Sequence, residues 1–155
     1  MGIEIERKFL IVSDDWRQNA AGKHCRQGYI VNDHRRSVRV RVLGDKGYIT
    51  IKGATHGITK PEYEVAISAV DATEMLDTLC TVGQIIKTRY FVDYCGFTWE
   101  IDVFEGENAG LIVAEIELET EDQKFEKPPW VGEEVSLDSR YKNVNLSRNP
   151  YCHWK

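Results

Sequence analysis

The sequence predicts an α+β fold, mainly antiparallel β, with a barrel-like form. Three observations carry this. Strand-like alternation of apolar and polar residues recurs in eight segments. Turn signals stand between several of them, as in Gly44-Asp45-Lys46-Gly47 and Tyr94-Cys95-Gly96. Helical signals are few and short.

The opening stretch MGIEIERKFL sets the pattern. Ile3, Ile5 and Phe9 point one way, while Glu4, Glu6 and Lys8 point the other. Strands are expected at 3–11, 27–31, 37–42, 48–52, 62–67, 86–92, 98–104 and 113–119. The two hairpin signatures make neighbouring strands antiparallel. Asp71-Ala72-Thr73-Glu74 reads as a capping-box start of a helix with Met75, Leu76 and Leu79 on one face. A short helix is expected after Thr120, stopping before Pro128-Pro129. Ser13-Asp14-Asp15 is expected to cap a turn through Trp16, and 141–148 to be helical.

At 155 residues the chain fits one domain, taken as 1–155. With 42% hydrophobic and 29% charged residues it reads as soluble and globular. A net charge of -5 argues against nucleic acid as a partner. No apolar run approaches the roughly 20 residues needed to span a bilayer, so no membrane partner is expected. The N-terminus opens on a charged strand rather than a signal peptide, which predicts a cytoplasmic protein. Cys25, Cys80, Cys95 and Cys152 show no CxxC spacing, so free thiols are expected and a zinc site is not. Asn145-Leu146-Ser147 matches a glycosylation triplet, which carries no meaning without secretion.

The split of the first strand repeats. Arg39 and Arg41 lie opposite Val38, Val40 and Val42; Lys52 lies opposite Ile49 and Ile51. Glu62 and Glu64 lie opposite Tyr63, Val65 and Ile67, and Lys87 and Arg89 opposite Thr88, Tyr90 and Val92. Glu100 and Asp102 lie opposite Trp99, Ile101 and Val103; Glu115, Glu117 and Glu119 lie opposite Ala114, Ile116 and Leu118. Most of these lines carry one sign. Like charges two residues apart on a strand are about 7 Å apart. They repel by roughly 2–3 kcal/mol at an effective dielectric near 20. A solvated face usually mixes signs and gains cross-strand pairing. Same-sign lines point to a demand from outside the chain: carboxylates for a hard metal ion, cations for phosphate. Two architectures satisfy the alternation. One is a sandwich with charged outer faces. The other is a sheet curled around a wet, charged lumen that holds a small ligand.

The ordered set Glu4-Ile5-Glu6-Arg7-Lys8, Arg39-Val40-Arg41, Lys52, Glu62-Tyr63-Glu64, Lys87-Thr88-Arg89-Tyr90, Glu100-Ile101-Asp102 and Glu115-Ile116-Glu117-Leu118-Glu119 resembles the CYTH superfamily, the triphosphate tunnel metalloenzymes. Block order and length look most like the small bacterial members that hydrolyse inorganic triphosphate, and the resemblance runs from Ile3 to about Asn143. It implies an eight-stranded closed tunnel barrel with a charged lumen and a few covering helices. It implies that Lys8, Arg39, Arg41, Lys52, Lys87 and Arg89 bind the triphosphate. It implies that Glu4, Glu6, Glu115 and Glu117 hold Mg²⁺ or Mn²⁺, with Glu62, Glu64, Glu100, Asp102 and Glu119 as further tunnel acids. Tyr29 matches a family tyrosine paired with the motif lysine, here Lys8, and these two join Glu4 and Glu6 as the catalytic candidates. The reaction implied is attack of a metal-activated water on a terminal phosphorus.

The alternatives are a class IV adenylyl cyclase, a nucleoside or thiamine triphosphatase, or a non-catalytic polyphosphate-binding module. No GxxxxGK[ST], GxSxG or HExxH occurs. His34-Arg35-Arg36 reads as a solvated loop, Lys142 as a helix-surface lysine, and His24, His56 and His153 as isolated. The four tryptophans read as packing residues. A homodimer is compatible with the sequence and not legible from it.

Overall fold

The computed structural model describes residues 2–18, 20–80 and 83–154. Its strands are β1 (Ile3–Ile11), β2 (Ala21–Asn32), β3 (Arg36–Leu43), β4 (Lys46–Gly53), β5 (Thr59–Ile67), β6 (Ile85–Tyr94), β7 (Phe97–Phe104), β8 (Ile112–Glu117) and β9 (Val131–Glu134). Strands β5-β4-β3-β2-β6-β7-β8-β1 hydrogen-bond in that order, and a β5–β1 pairing closes the ring. All of these pairings are antiparallel. The closure rests on three residues, Ile3↔Pro61 to Ile5↔Thr59. The eight expected strands are all present, and β9 is an addition that pairs outside the ring with the far half of β1, Phe9 opposite Glu134.

The hairpin between β6 and β7 follows from its turn residues. Cys95 and Gly96 both have positive φ, 47° and 85°. That pair of values suits a two-residue turn whose twist matches the flanking strands. Register places Glu4, Glu6, Lys8, Arg39, Arg41, Lys52, Lys87, Arg89, Glu100, Asp102, Glu115 and Glu117 toward the axis, while Arg7 and Arg26 pair on the outside with Glu134 and Asp77. The hydrophobic residues then form two covers outside the barrel and one plug inside its end.

The first cover is α1 (Ala69–Thr78), whose Ala72 and Leu76 are buried against Val40 and Cys80. Its N-cap is Ser68, whose hydroxyl accepts from the Asp71 amide at 3.0 Å. The start therefore lies three residues before the Asp71 cap read from sequence. Gly47 on β4 lets the helix approach, because a Cβ there would stand 2.8 Å from Ala72 Cβ and 2.6 Å from the Ser68 carbonyl oxygen.

The second cover is aromatic. Trp99 on β7 meets Phe9, Phe125 and Trp130 edge-on, each at 5.7 Å between ring centroids. Phe125 comes from the segment expected to be helical after Thr120, and Trp130 lies just beyond it; the whole stretch instead runs as turns and extended chain. Side chains there bond locally: Gln123 Oε1 accepts from the Glu119 amide at 2.6 Å, and the Asp122 carboxylate accepts from the Thr120 hydroxyl at 2.8 Å. Such local bonds compete with helix formation, and an extended course lets both aromatic rings reach Trp99. The third cluster plugs one end of the barrel from within: Leu146, from the short helix α2 (Asn143–Leu146), packs with Leu111 and with Ile85, Phe104 and Val113, which share the inward strand faces of Lys87, Asp102 and Glu115. Turns at Ser139–Tyr141 and Tyr151–His153 flank it, so the expected helix at 141–148 is a single turn between two tighter ones.

Leu76→Ala leaves a void between α1 and β3. We expect a loss of about 2–5 kcal/mol in denaturant unfolding, with the tunnel residues undisturbed because Leu76 faces away from them.

Candidate active site: a polarised tunnel

The ring order decides what faces what. In an eight-membered ring β3 stands diametrically across from β8. Arg39 and Arg41 on β3 therefore face Glu115 and Glu117 on β8 through a cavity of about 710 Å³, lined by all four. Glu4, Glu6, Lys8, Tyr29, Lys52, Glu62, Glu64, Arg89 and Glu100 line it too.

The basic wall is short of counter-charge. Arg41 is buried; its Nε donates to Gln27 Oε1 at 3.1 Å, and no carboxylate lies within ion-pair distance among the described residues. Burial, and then the neighbouring Arg39 and Arg89, lower its pKa. Arg39 is buried as well, bonded to Thr50 Oγ1 at 3.1 Å, with Glu64 3.9 Å away and its Nε unpartnered. Buried cations with neither water nor a carboxylate are costly, and an anion among them removes the cost.

The acidic wall shows the inverse strain. Glu6 on β1 stands directly opposite Glu117 on β8 in the ladder, a like-charge pairing that destabilises a sheet. Burial, with Glu115 and Glu4 beside it, pushes the Glu6 carboxyl up to about 8. Glu117 is raised by burial and by Glu100 and Glu4. Burial would also raise Glu4, but a hydrogen bond with Glu62 and the Lys52 and Lys60 ammoniums outweigh it and hold Glu4 at about 2. The partner Glu62 is pushed up to about 7 by burial and that shared bond. Carboxylate oxygens of Glu4, Glu6 and Glu117 all lie within 4.8 Å of one another. A convergent, all-oxygen donor set of this kind suits a hard divalent ion such as Mg²⁺ or Mn²⁺. The proton on Glu6 is one that such an ion would displace.

Glu115 stands apart from that trio. Its oxygens lie 3.6 Å from Lys8 Nζ and 3.5 Å from Arg89 Nη2. Burial opposes ionisation, but these cations hold it well below the usual carboxylate range. Lys8 Nζ also donates to the Tyr141 carbonyl oxygen at 3.0 Å. Tyr29 lines the same cavity, opposite Arg39 in the β2–β3 ladder, without a hydrogen bond to Lys8 among the described residues.

Lys87 and Asp102 lie beneath the cavity floor and do not line it. Both are fully buried and joined Nζ to Oδ2 at 2.8 Å. Asp102 also receives Arg89 through Nε and Nη2, at 2.8 and 2.9 Å, while Arg89 Nη1 reaches Glu100 at 2.8 Å. This internal salt network holds the Arg89 guanidinium in place at the cavity floor. Glu119 falls outside the tunnel, past the end of β8, because the strand stops at Glu117.

Sequence reasoning missed Lys60, whose Nζ lies 3.4 Å from Glu4 Oε1 and which lines the cavity. The signal was there: Lys60, Glu62 and Glu64 share one alternation, but Pro61 reads as a strand breaker, so the strand was started at Glu62. Pro61 is tolerated because it sits at the short β1–β5 closure. Lys142, Asn143 and Arg148 of the C-terminal segment, and His34 and Arg36 of the β2–β3 turn, also line the cavity. Lys142 thus faces the tunnel and not open solvent; burial and the nearby Lys60 and Lys8 lower its pKa.

Converging guanidiniums across from clustered carboxylates, inside a closed barrel, define a tunnel for a polyanion accompanied by a cation. Comparison with known proteins agrees with that class. The CYTH domain family model matches residues 2–151, and the chain belongs to the CYTH domain family. It is 51% identical over 155 residues to an inorganic triphosphatase of Acetivibrio thermocellus, covering 100% of this chain and 99% of that protein. It is 38% identical over 149 residues to an inorganic triphosphatase of Nitrosomonas europaea, covering 93% and 96%. The crystal structure of an inorganic triphosphatase superposes with a TM-score of 0.64 at 36% identity, over 93% of each chain.

Asp102→Asn leaves Lys87 and Arg89 with reduced counter-charge in a dry floor, and a loss of about 3–5 kcal/mol in equilibrium unfolding is expected. The pH dependence has a definite sign. Asp102 is opposed by burial but held by Arg89 and Lys87 at about 2, against an ordinary 3.8. Its contribution is complete above the ordinary value and fades as pH falls toward the folded one, worth roughly 2 kcal/mol in all. Denaturant unfolding between pH 5 and about 2 should show that decline in the wild type and a shallower one in the Asn variant.

Proposed function

We propose that this protein hydrolyses inorganic triphosphate to pyrophosphate and phosphate in its tunnel, as an Mg²⁺- or Mn²⁺-dependent enzyme of the cytoplasm. The observation that carries the reading is the pair of buried arginines Arg39 and Arg41, which lack adequate counter-charge and face a cluster of carboxylates across the cavity. The names of the relatives at 51% and 38% identity support it. All four cysteines are free, as a reducing compartment would keep them. No described helix is long and apolar enough to cross a membrane.

On this reading Arg39, Arg41 and Arg89 take the non-bridging phosphate oxygens, where planar guanidiniums bind two oxygens at once. Lys52 and Lys60, at one flank of the basic wall, neutralise the chain further along. Lys87 acts through Asp102 by fixing Arg89. Lys8 lines the cavity beside Glu115, where its ammonium answers charge that develops as the P–O bond breaks. Tyr29 offers a hydroxyl donor from β2. Glu4, Glu6 and Glu117 would hold the divalent ion, which when bound supplies charge neutralisation and makes nearby water more acidic. The lumen places water and phosphorus in line, and that placement is most of what phosphoryl transfer asks of a protein.

A panel of tripolyphosphate, ATP and thiamine triphosphate, each with Mg²⁺ and with Mn²⁺, tests the substrate; the highest kcat/KM is expected with tripolyphosphate. Preference for a nucleotide or for thiamine triphosphate would move the activity to another branch of the family. Tight triphosphate binding with no turnover at any metal concentration would make the tunnel a binding module. Arg41→Ala should lower kcat/KM by about 10²-fold or more. Glu6→Gln should remove turnover at ordinary metal concentrations, and full activity in that variant would refute the metal role.

A further inference from the structure

A second donor cluster lies outside the tunnel. Glu107, in the turn Gly106–Asn108 after β7, meets Cys152 and His153, in the turn Tyr151–His153 near the C-terminus. One donor atom from each lies within 4.8 Å of the other two, and all three residues are exposed. None of these donor atoms makes a hydrogen bond or ion pair among the described residues, which sets the cluster apart from the tunnel acids with their interleaved lysines and arginines. The two turns are held together independently of it. Asn108 is buried, and its Oδ1 accepts from the Tyr151 amide at 2.8 Å. The Tyr151 ring packs edge-on against Trp154 at 5.2 Å.

We propose that Glu107, Cys152 and His153 form a surface site for a borderline transition-metal ion, Zn²⁺ by chemical class. A carboxylate oxygen, a thiolate sulfur and an imidazole nitrogen together suit Zn²⁺, whereas Mg²⁺ and Mn²⁺ favour the all-oxygen set inside the tunnel. Zn–S near 2.3 Å and Zn–N near 2.0 Å place tetrahedral ligands roughly 3.5 Å apart. The cluster therefore needs to tighten by no more than about 1.3 Å from its 4.8 Å limit, within reach of exposed side chains changing rotamer. Three protein ligands leave the fourth position to water. Binding displaces the thiol proton of Cys152, so affinity rises with pH.

The site ties the end of the chain to the β7–β8 connection. That end belongs to the segment whose Tyr141 carbonyl oxygen accepts from Lys8 at 3.0 Å and whose Asn143 Oδ1 accepts from Lys87 at 3.1 Å. A clip there holds the segment against the tunnel and gives the ion a structural role.

The test is a Co²⁺ and Zn²⁺ titration of the untagged, metal-free full-length protein under a non-thiol reductant. A thiolate-to-cobalt charge-transfer band should appear, be displaced by Zn²⁺, and vanish in Cys152→Ser. Affinity should fall at least tenfold in Glu107→Gln and His153→Ala, since even loss of a supporting contact to a metal ligand costs 10–100-fold. Zn²⁺ should raise Tm in the wild type and not in Cys152→Ser. Glu6→Gln should keep the band, which separates this site from the tunnel and from any failure of the triphosphatase reading. Absence of the band in the wild type, its persistence in Cys152→Ser, or unchanged affinity in both Glu107→Gln and His153→Ala would overturn the proposal.

Discussion

Glu6 and Glu117 face each other across the β1–β8 ladder with Glu4 alongside, and the buried Arg41 stands on the far side of the ring without a carboxylate. Charges of this kind cannot share a dry interior. The barrel must therefore enclose a wet lumen, and most of the apolar residues of its strands point outward. That inversion demands cover from outside. Helix α1 and the aromatic segment ending at Trp130 each seal one outer sector, while the C-terminal turns close one end of the lumen over an apolar plug. An ordinary barrel would fill its centre with side chains and need none of these. The covering elements are consequences of the charged lumen, and so is the extra strand β9, which continues the aromatic cover onto the outer half of β1.

Much of this was legible because period-two alternation and charge sign are both local properties. Residues i and i+2 report one face of a strand whatever its partner, so the ring strands and their inward charges could be read directly. What required the ring was pairing. Arg39-Val40-Arg41 and Lys87-Thr88-Arg89 look alike in sequence, yet they end in opposite electrostatic states. Arg89 lies across from Asp102 in the β6–β7 ladder, whereas Arg39 lies across from Tyr29 on one side and Thr50 on the other. One pair is neutralised from within and the other is left for a ligand. The same limit hid the Glu107–Cys152–His153 cluster, because Glu107 lies more than forty residues before the adjacent Cys152 and His153 and meets them only through tertiary folding.

The errors have local causes. Pro61 concealed Lys60 by ending an alternation that the short closure lets run on. The line of acids runs one residue too far at Glu119: the Leu118 amide makes a last in-register bond to the Ile5 carbonyl oxygen, and the Glu119 amide beyond it turns to Gln123 Oε1. After Thr120 an apparently helical stretch was overruled by local side-chain bonds and by two aromatic rings that must reach Trp99.

Lys52 and Lys60 explain how the tunnel tolerates its own charge before it binds anything. Both ammoniums rest on Glu4 Oε1, at 3.0 and 3.4 Å. Lys52 is also 3.6 Å from Glu62, and Lys8 is 3.6 Å from Glu115. The lysines thus stand in for the cation that the acidic wall would otherwise hold, while Arg39 and Arg41 have no comparable substitute. A polyanion seated on the arginines would also draw Lys52 and Lys60 toward phosphate oxygens. Glu4 would then lose its counter-charges while still beside Glu6 and Glu117, and the acid trio would become a stronger site for a divalent ion. The coupling is reciprocal: an ion on the trio releases the same lysines to the anion. Substrate and metal on the proposed reading bind as a pair because the chain supplies one set of lysines for two partners.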